Sequence, residues 1–194
     1  MTLLVSNSAE VRMLGNIVNL TAPENLVLRL YTSNTTPAET DTAGSYTEAT
    51  GNGYSALTLT GASWTVVAAK VGTVNTSGTA VTSASGDNFT GIVAGMAITI
   101  NAVDYVVQSV TNSTNLVLTA TAGTQSGVAY STPTTAHYAE QTFTFTGALG
   151  NVYGYHLTET TSGQLKWAER FTGAPLNIAN NGDQIKITPI ITLE

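Results

Sequence analysis

The side chains that could do chemistry are few and scattered. The two histidines, His137 and His156, sit on different segments, and neither has a His-x-x-x-His spacing or a neighbouring carboxylate to complete a ligand set. His156 lies within Tyr153-Gly-Tyr-His-Leu157, where a hydrogen-bonded structural histidine is the simpler reading. Glu169, in Trp167-Ala-Glu-Arg-Phe171, offers an acid, but glycoside hydrolysis takes two positioned carboxyls and the sequence pairs no second one with it. Asp183 ends Asn180-Asn-Gly-Asp183, a pattern that suits a calcium loop or, more simply, a hairpin turn. No Gly-x-Ser-x-Gly elbow occurs, and the glycines fall in turns rather than in a strand-to-helix phosphate loop. Cysteine is absent, which removes thiol nucleophiles, thiolate metal sites and disulfides. The chain is therefore read as a non-enzyme, with no catalytic, cofactor-binding or metal-ligating residue.

Binding chemistry is the remaining option. Trp64, Trp167 and eight tyrosines could form a carbohydrate-binding face, but both tryptophans alternate with polar neighbours, as core residues of a sheet do. Arg29 and Arg170 are rare bases that could pair with Glu48, Glu140 or Glu169.

Only 9% of the 194 residues are charged, against about 25% in an average soluble domain. The polarity comes instead from 35 threonines and 18 glycines. A 42% apolar content is too high for a disordered chain. A net charge of −6 with six basic residues argues against nucleic acid, whose phosphates need clustered Lys and Arg. Met1 to Glu10 lacks a basic n-region and a long apolar core, so no secretory signal is expected. The longest nearly apolar stretch, Ile92 to Ile100, is far shorter than the roughly 20 residues that span a bilayer, so no membrane partner is expected.

The elements that would carry these residues are mostly strands. One segment, Asn7 to Leu20, has a helical period, with Val11, Met13, Leu14, Ile17, Val18 and Leu20 forming a stripe and Asn7 with Glu10 resembling a capping box. Gly15 weakens that helix by roughly 1 kcal/mol, and Pro23 ends it. After Pro23, strands are predicted at 25–31, 55–60, 64–67, 140–146, 151–157, 164–171 and 184–191, separated by turn signals such as Thr161-Ser-Gly163, Thr172-Gly-Ala-Pro175 and Asn180-Asn-Gly-Asp183. The predicted class is all-β, a β-sandwich or barrel host domain with a short N-terminal helix. Threonine fits this class because its branched Cβ suits the pleat.

The middle of the chain has a different texture. From Val71 to Tyr130 there are two acids, Asp87 and Asp104, and no base, and Ile98 to Val106 reads as a hairpin turning at Asn101-Ala102. We read residues 70–131 as a small β-module inserted into a discontinuous host domain formed by 1–69 and 132–194.

The flanking segments resemble a family of tailed-bacteriophage virion proteins. The residues that carry the resemblance are Leu26-Val-Leu-Arg-Leu-Tyr-Thr-Ser-Asn-Thr-Thr-Pro37, Ser45-Tyr-Thr-Glu-Ala-Thr50, Tyr54, Leu59-Thr-Gly-Ala-Ser-Trp64, Tyr138-Ala-Glu-Gln-Thr-Phe-Thr-Phe-Thr-Gly147, Val152-Tyr-Gly-Tyr155, Trp167-Ala-Glu-Arg170 and Asn181-Gly-Asp183. In such proteins a short loop joins the Trp strand to the Tyr-Ala-Glu-Gln-Thr strand, and the inserted module departs from that pattern. The resemblance implies a virion structural component of the capsid decoration (cement) type on the outer surface of the head, its partners the major capsid protein and further copies of itself, a trimer being the leading expectation. A tail or baseplate component, or a glycan-binding adhesin for the host surface, is the alternative. The expected capsid or oligomer contacts are the apolar Met1, Thr2, Leu3, Leu4 and Val5, which form either an extended arm or an ordinary edge strand, with Arg12, and the loop around Thr36, Pro37 and Tyr46, read as polar and mobile.

Overall fold

The computed structural model describes Leu4–Val5 and residues 24–193, and the helix expected over Asn7–Leu20 lies outside the described residues. Among the described residues, strands dominate and the only helical pieces are 3-10 turns at Ala43–Ser45 and Gly61–Ser63, so the all-β class is observed. Among the described residues no helix is long and apolar enough to cross a membrane. The chain divides into two compact units: Met1–Ser63 with Ala139–Ile187, and Trp64–Tyr138 with Thr188–Glu194.

The first unit is built on a five-stranded antiparallel sheet. Its order is β1 (Leu4–Val5), β15 (Leu165–Arg170), β14 (Gly154–Glu159), β2 (Leu26–Tyr31) and β3 (Leu57–Leu59). Two short ladders accompany it, β12 (Gln141–Thr144) with β17 (Gln184–Ile187) and β13 (Gly150–Val152) with β16 (Leu176–Ile178). Leu28 and Leu157 face each other across the central ladder and are fully buried on one side of the sheet. Tyr31, Tyr46, Leu165 and Ala168 pack together on the other. Every residue of β14 is buried, so the central strand is covered on both faces.

Two predicted strands divide where their partners change. Residues 151–157 split at Tyr153, because β13 pairs with β16 while β14 pairs with β2 and β15. Residues 184–191 split at Thr188-Pro189 into β17 and β18 (Ile190–Leu193), since Pro189 has no N–H to give to a ladder.

The second unit contains a closed six-stranded antiparallel barrel. Its strands run in the order β10 (Thr124–Thr132), β5 (Lys70–Ser77), β6 (Ala80–Gly86), β9 (Asn115–Leu118), β8 (Val103–Asn112) and β7 (Ala97–Ile100), and β10 closes it by pairing with both β5 and β7. The expected hairpin turns at Asn101-Ala102, both with positive φ, the geometry that matches strand twist. Val74, Val81, Ile98, Ile100, Leu116 and Leu118 alternate inward along their strands and fill the interior with Phe89 and Met96. Gly72 and Gly86 face each other, and a Cβ on either would run into the opposite backbone, so this close crossing admits no side chain. The barrel begins and ends at one place, with Lys70 opposite Thr132, and outside it β11 (Thr134–His137) pairs with β4 (Thr65–Val67) on one side and β18 on the other.

Two measurements check this architecture. Gly154→Ala drives a Cβ into the Glu169 carbonyl oxygen and the Tyr31 phenol, so it lowers stability by about 3 kcal/mol in urea denaturation. A fragment of residues 64–138 carries the barrel core with Val67 and gives dispersed amide resonances with a cooperative thermal transition; a collapsed, random-coil spectrum contradicts a barrel that folds by itself.

Candidate functional site

The polar chemistry of the first unit gathers on the tyrosine face of the five-stranded sheet, beneath the loop from Thr32 to Ala49. β2 presents Arg29 and Tyr31 on this face, and β14 presents His156 opposite Arg29, Gly154 opposite Tyr31 and Thr158 opposite Val27. Tyr46 comes down from the loop, its ring stacked on His156 at 5.1 Å and against Tyr31 at 4.9 Å. Its hydroxyl donates to Asp41 Oδ2 at 2.6 Å, and the same oxygen accepts the Ala38 N–H at 2.9 Å, so one carboxylate shapes the loop and fixes the ring. Tyr46 is raised far above an ordinary phenol, first by burial and then by this bond to Asp41.

Arg29 lies beside the cluster and donates to Glu48 Oε2 at 2.7 Å and to Thr158 Oγ1 at 3.3 Å. Tyr54 extends the network, donating to Glu48 Oε1 at 2.9 Å while accepting the Leu30 N–H. Arg170 fastens the other end of the loop through Thr35 O and the Asn34 side chain, and it lies 5.0 Å over the Tyr153 ring. Of the pairings open to the two arginines, Arg29–Glu48 forms, while Arg170 secures loop oxygens.

His156 is only 2% exposed and its Nδ1 is buried without a hydrogen-bond partner among the described residues. The hydrogen bond expected for a structural histidine is therefore replaced at Nδ1 by aromatic stacking. Burial lowers its pKa to about 4, with Glu48 opposing and Arg29 adding to the effect.

Next to this cluster, the Glu39–Gly44 loop and Ser162–Leu165 enclose an open cleft of about 450 Å³. Its wall offers carboxylates from Glu39 and Asp41, hydroxyls from Thr40 and Thr42, and the Gln164 amide above buried Leu165. Such a wall can hydrogen-bond a polar ligand, but no local pattern signals that these two segments meet, because more than a hundred residues separate them.

The remaining singled-out residues take structural places. Glu169 is raised by burial and accepts the Tyr155 hydroxyl. Asp183 accepts the Ala179 and Asn180 N–H groups at 2.9 Å each, which lowers its pKa and makes it the clasp of its turn. His137 pairs across β11 with Thr65 and Ile190 in the second unit, whereas His156 belongs to the first. No group of three His, Asp or Glu among the described residues could hold a metal. Tyr31, Tyr46, Tyr130, Tyr138 and Tyr155 are buried and the other tyrosines and both tryptophans half-buried, so the aromatic residues line no exposed platform.

The expected contact residues fall in different places. Met1, Thr2, Leu3 and Arg12 lie outside the described residues. Leu4 and Val5 pair with Ala168 and Trp167 as the edge strand β1, the second of the two readings of that segment. Thr36 is exposed and Pro37 half-buried. Tyr46 is 5% exposed and belongs to the core, since its ring completes the stack on His156. The loop expected to be polar and mobile is polar, yet it is pinned by Asp41, Arg170 and the Thr32–Thr47 backbone bond.

No known protein family matches the chain, and neither a curated protein nor a solved structure is significantly similar to it.

The buried imidazole makes folding sensitive to acid. The unfolded histidine takes up a proton as pH falls below about 6.5, while the folded one stays neutral until about 4. The native state therefore loses up to about 3 kcal/mol across that window and no more below it. Urea midpoints measured from pH 7 to pH 4 fall accordingly, and His156→Gln flattens the slope between pH 6.5 and 5; an unchanged slope in the variant refutes the assignment.

Proposed function

We propose that the chain is a non-enzymatic structural protein of a tailed-phage virion, a decoration protein that binds the assembled head and stabilises it. The observation that carries this reading is the set of flanking strings, Leu26 to Pro37 and Tyr138 to Gly147 above all, which supply the first unit's β2 and β12 and the pinned loop. The barrel supports it. Its wall carries threonine, serine, alanine and asparagine in place of ions, and its two acids are tied down, Asp87 by the Val71 N–H and Asp104 by the Thr99 hydroxyl. A neutral, closed β-surface offers no strand edge for uncontrolled pairing and suits close packing on a shell.

The barrel's ends, Lys70 and Thr132, meet in one ladder, as suits a module set into a loop of a host domain, and the flanking strands β4, β11 and β18 group with the barrel rather than with the first unit. In this reading the module projects from the particle, the major capsid protein is the partner, and copies associate as a trimer at the outer capsid surface. Binding only the assembled state stabilises that state by mass action, without any chemical step.

An adhesin is the second reading, favoured by the polar cleft between Glu39–Gly44 and Ser162–Leu165, whose carboxylates and amide could bond sugar hydroxyls. The two separate in one comparison. A decoration protein added to undecorated heads raises their melting temperature and appears as density over the whole shell. Binding of the free protein to host envelope glycans, with no density on heads, overturns the decoration reading in favour of the adhesin.

A further inference from the structure

One charged pair is taken almost wholly out of water. Lys166 and Glu159 are 3% and 5% exposed, and Lys166 Nζ lies 2.8 Å from Glu159 Oε1. A bulge places them together. The ladder between β14 and β15 runs from Leu157 opposite Trp167 directly to Thr158 opposite Leu165, which skips Lys166 and frees its side chain to reach Glu159.

Two more groups converge on the same carboxylate. The Ser162 hydroxyl donates to Glu159 Oε2. The Glu24 carboxyl also hydrogen-bonds Glu159, and its own Oε1 is buried. An amine, a carboxyl carbon, a hydroxyl donor and a second carboxyl thus meet around one largely buried ion pair.

We propose that Lys166 and Glu159 are a self-modifying pair, condensing within the folded chain to an amide between Lys166 Nζ and Glu159 Cδ. The Lys166 ammonium first passes a proton to the Glu159 carboxylate, leaving a neutral amine beside a neutral acid. The amine attacks Cδ, the C–N bond forms, and the Ser162 hydroxyl stabilises the oxyanion of the tetrahedral intermediate. Glu24 takes the surplus proton from nitrogen and delivers it to the departing hydroxyl, so the C–O bond breaks and water leaves. The sum is ammonium plus carboxylate going to amide plus water, with Glu24 restored and no other reactant.

Two physical terms drive the step in the fold that do not act in solution. The partners are held at contact distance, which replaces a bimolecular encounter with an intramolecular one. Two desolvated charges become one neutral amide, which removes the cost of keeping ions in a low-dielectric site. The product is a covalent rung between β14 and β15 beside the hairpin turn at Thr160–Gly163.

Intact mass spectrometry of the full chain decides the matter. The folded protein is expected to be lighter than its sequence mass by one water, with trypsin failing to cut after Lys166. Chain held in denaturant from synthesis onward keeps the full mass. Glu159→Gln reaches the same final mass as the condensed wild type, because ammonia leaves in place of water. Glu24→Gln, folded by circular dichroism, condenses many-fold more slowly, and Lys166→Arg keeps its full mass. If the folded wild type holds its full sequence mass after prolonged incubation, the proposal is wrong, whatever the variants do.

Discussion

The first unit depends on a strand that is polar and yet buried on both faces. β14 carries His156, Thr158 and Glu159 at the centre of the five-stranded sheet, with neighbouring strands on each side and packed layers above and below. A polar group in such a place costs free energy unless something answers it. Thr158 is met by Arg29, Glu159 by Lys166 and Ser162, and His156 by the Tyr46 ring. Those answers come from β2, β15, the β14–β15 turn and the Thr32–Ala49 loop. Satisfying one strand thus recruits most of the unit, and it explains why a polar loop is held down rather than left to solvent.

The barrel solves a different problem by a different route. It has few charges to stabilise, and its buried polar side chains find partners across the barrel: Thr76 and the Tyr130 hydroxyl donate to the Gly123 and Asp87 carbonyls, and Thr132 accepts the Lys70 N–H. Its order rests on alternation and closure: the large apolar side chains inward, mostly small polar ones outward with Val71, Val103 and Val106 exposed among them, and every strand paired on both edges. Closure is possible at this size because Gly72 and Gly86 let two strands cross without side chains between them. The scarcity of charge is therefore greatest in the barrel, while Arg29, Lys166 and Arg170 serve as clasps in the first unit.

That division bears on function. The groups that looked able to do chemistry, His156, Glu169 and Asp183, are committed to stacking, to a phenol and to a turn. What the fold leaves available is surface: a hydroxyl- and carboxylate-lined cleft in one unit and a neutral barrel wall in the other. Both are suited to recognition by shape and hydrogen bonding.

Local pattern was enough for the all-β class, for strands such as 26–31, 141–144 and 165–170, and for the hairpin at Asn101-Ala102, because alternation and turn chemistry act between near neighbours in the chain. It also separated the base-free middle from its flanks. The splits at Tyr153 and Pro189 were within reach for the proline and out of reach for the tyrosine, whose strand is divided only by a change of partners. Tyr46 illustrates the limit most plainly. Flanked by polar residues in a Thr-rich loop, it reads as a surface contact, and only the position of His156, 110 residues away, makes it core. The same holds for Lys166 and Glu159, which a bulge brings together and burial sets apart, and for the cleft formed by segments distant in sequence. Periodicity reports which side of a strand faces inward; which side chains meet there, and which of them lose their water, is decided by packing between segments that the chain does not place side by side.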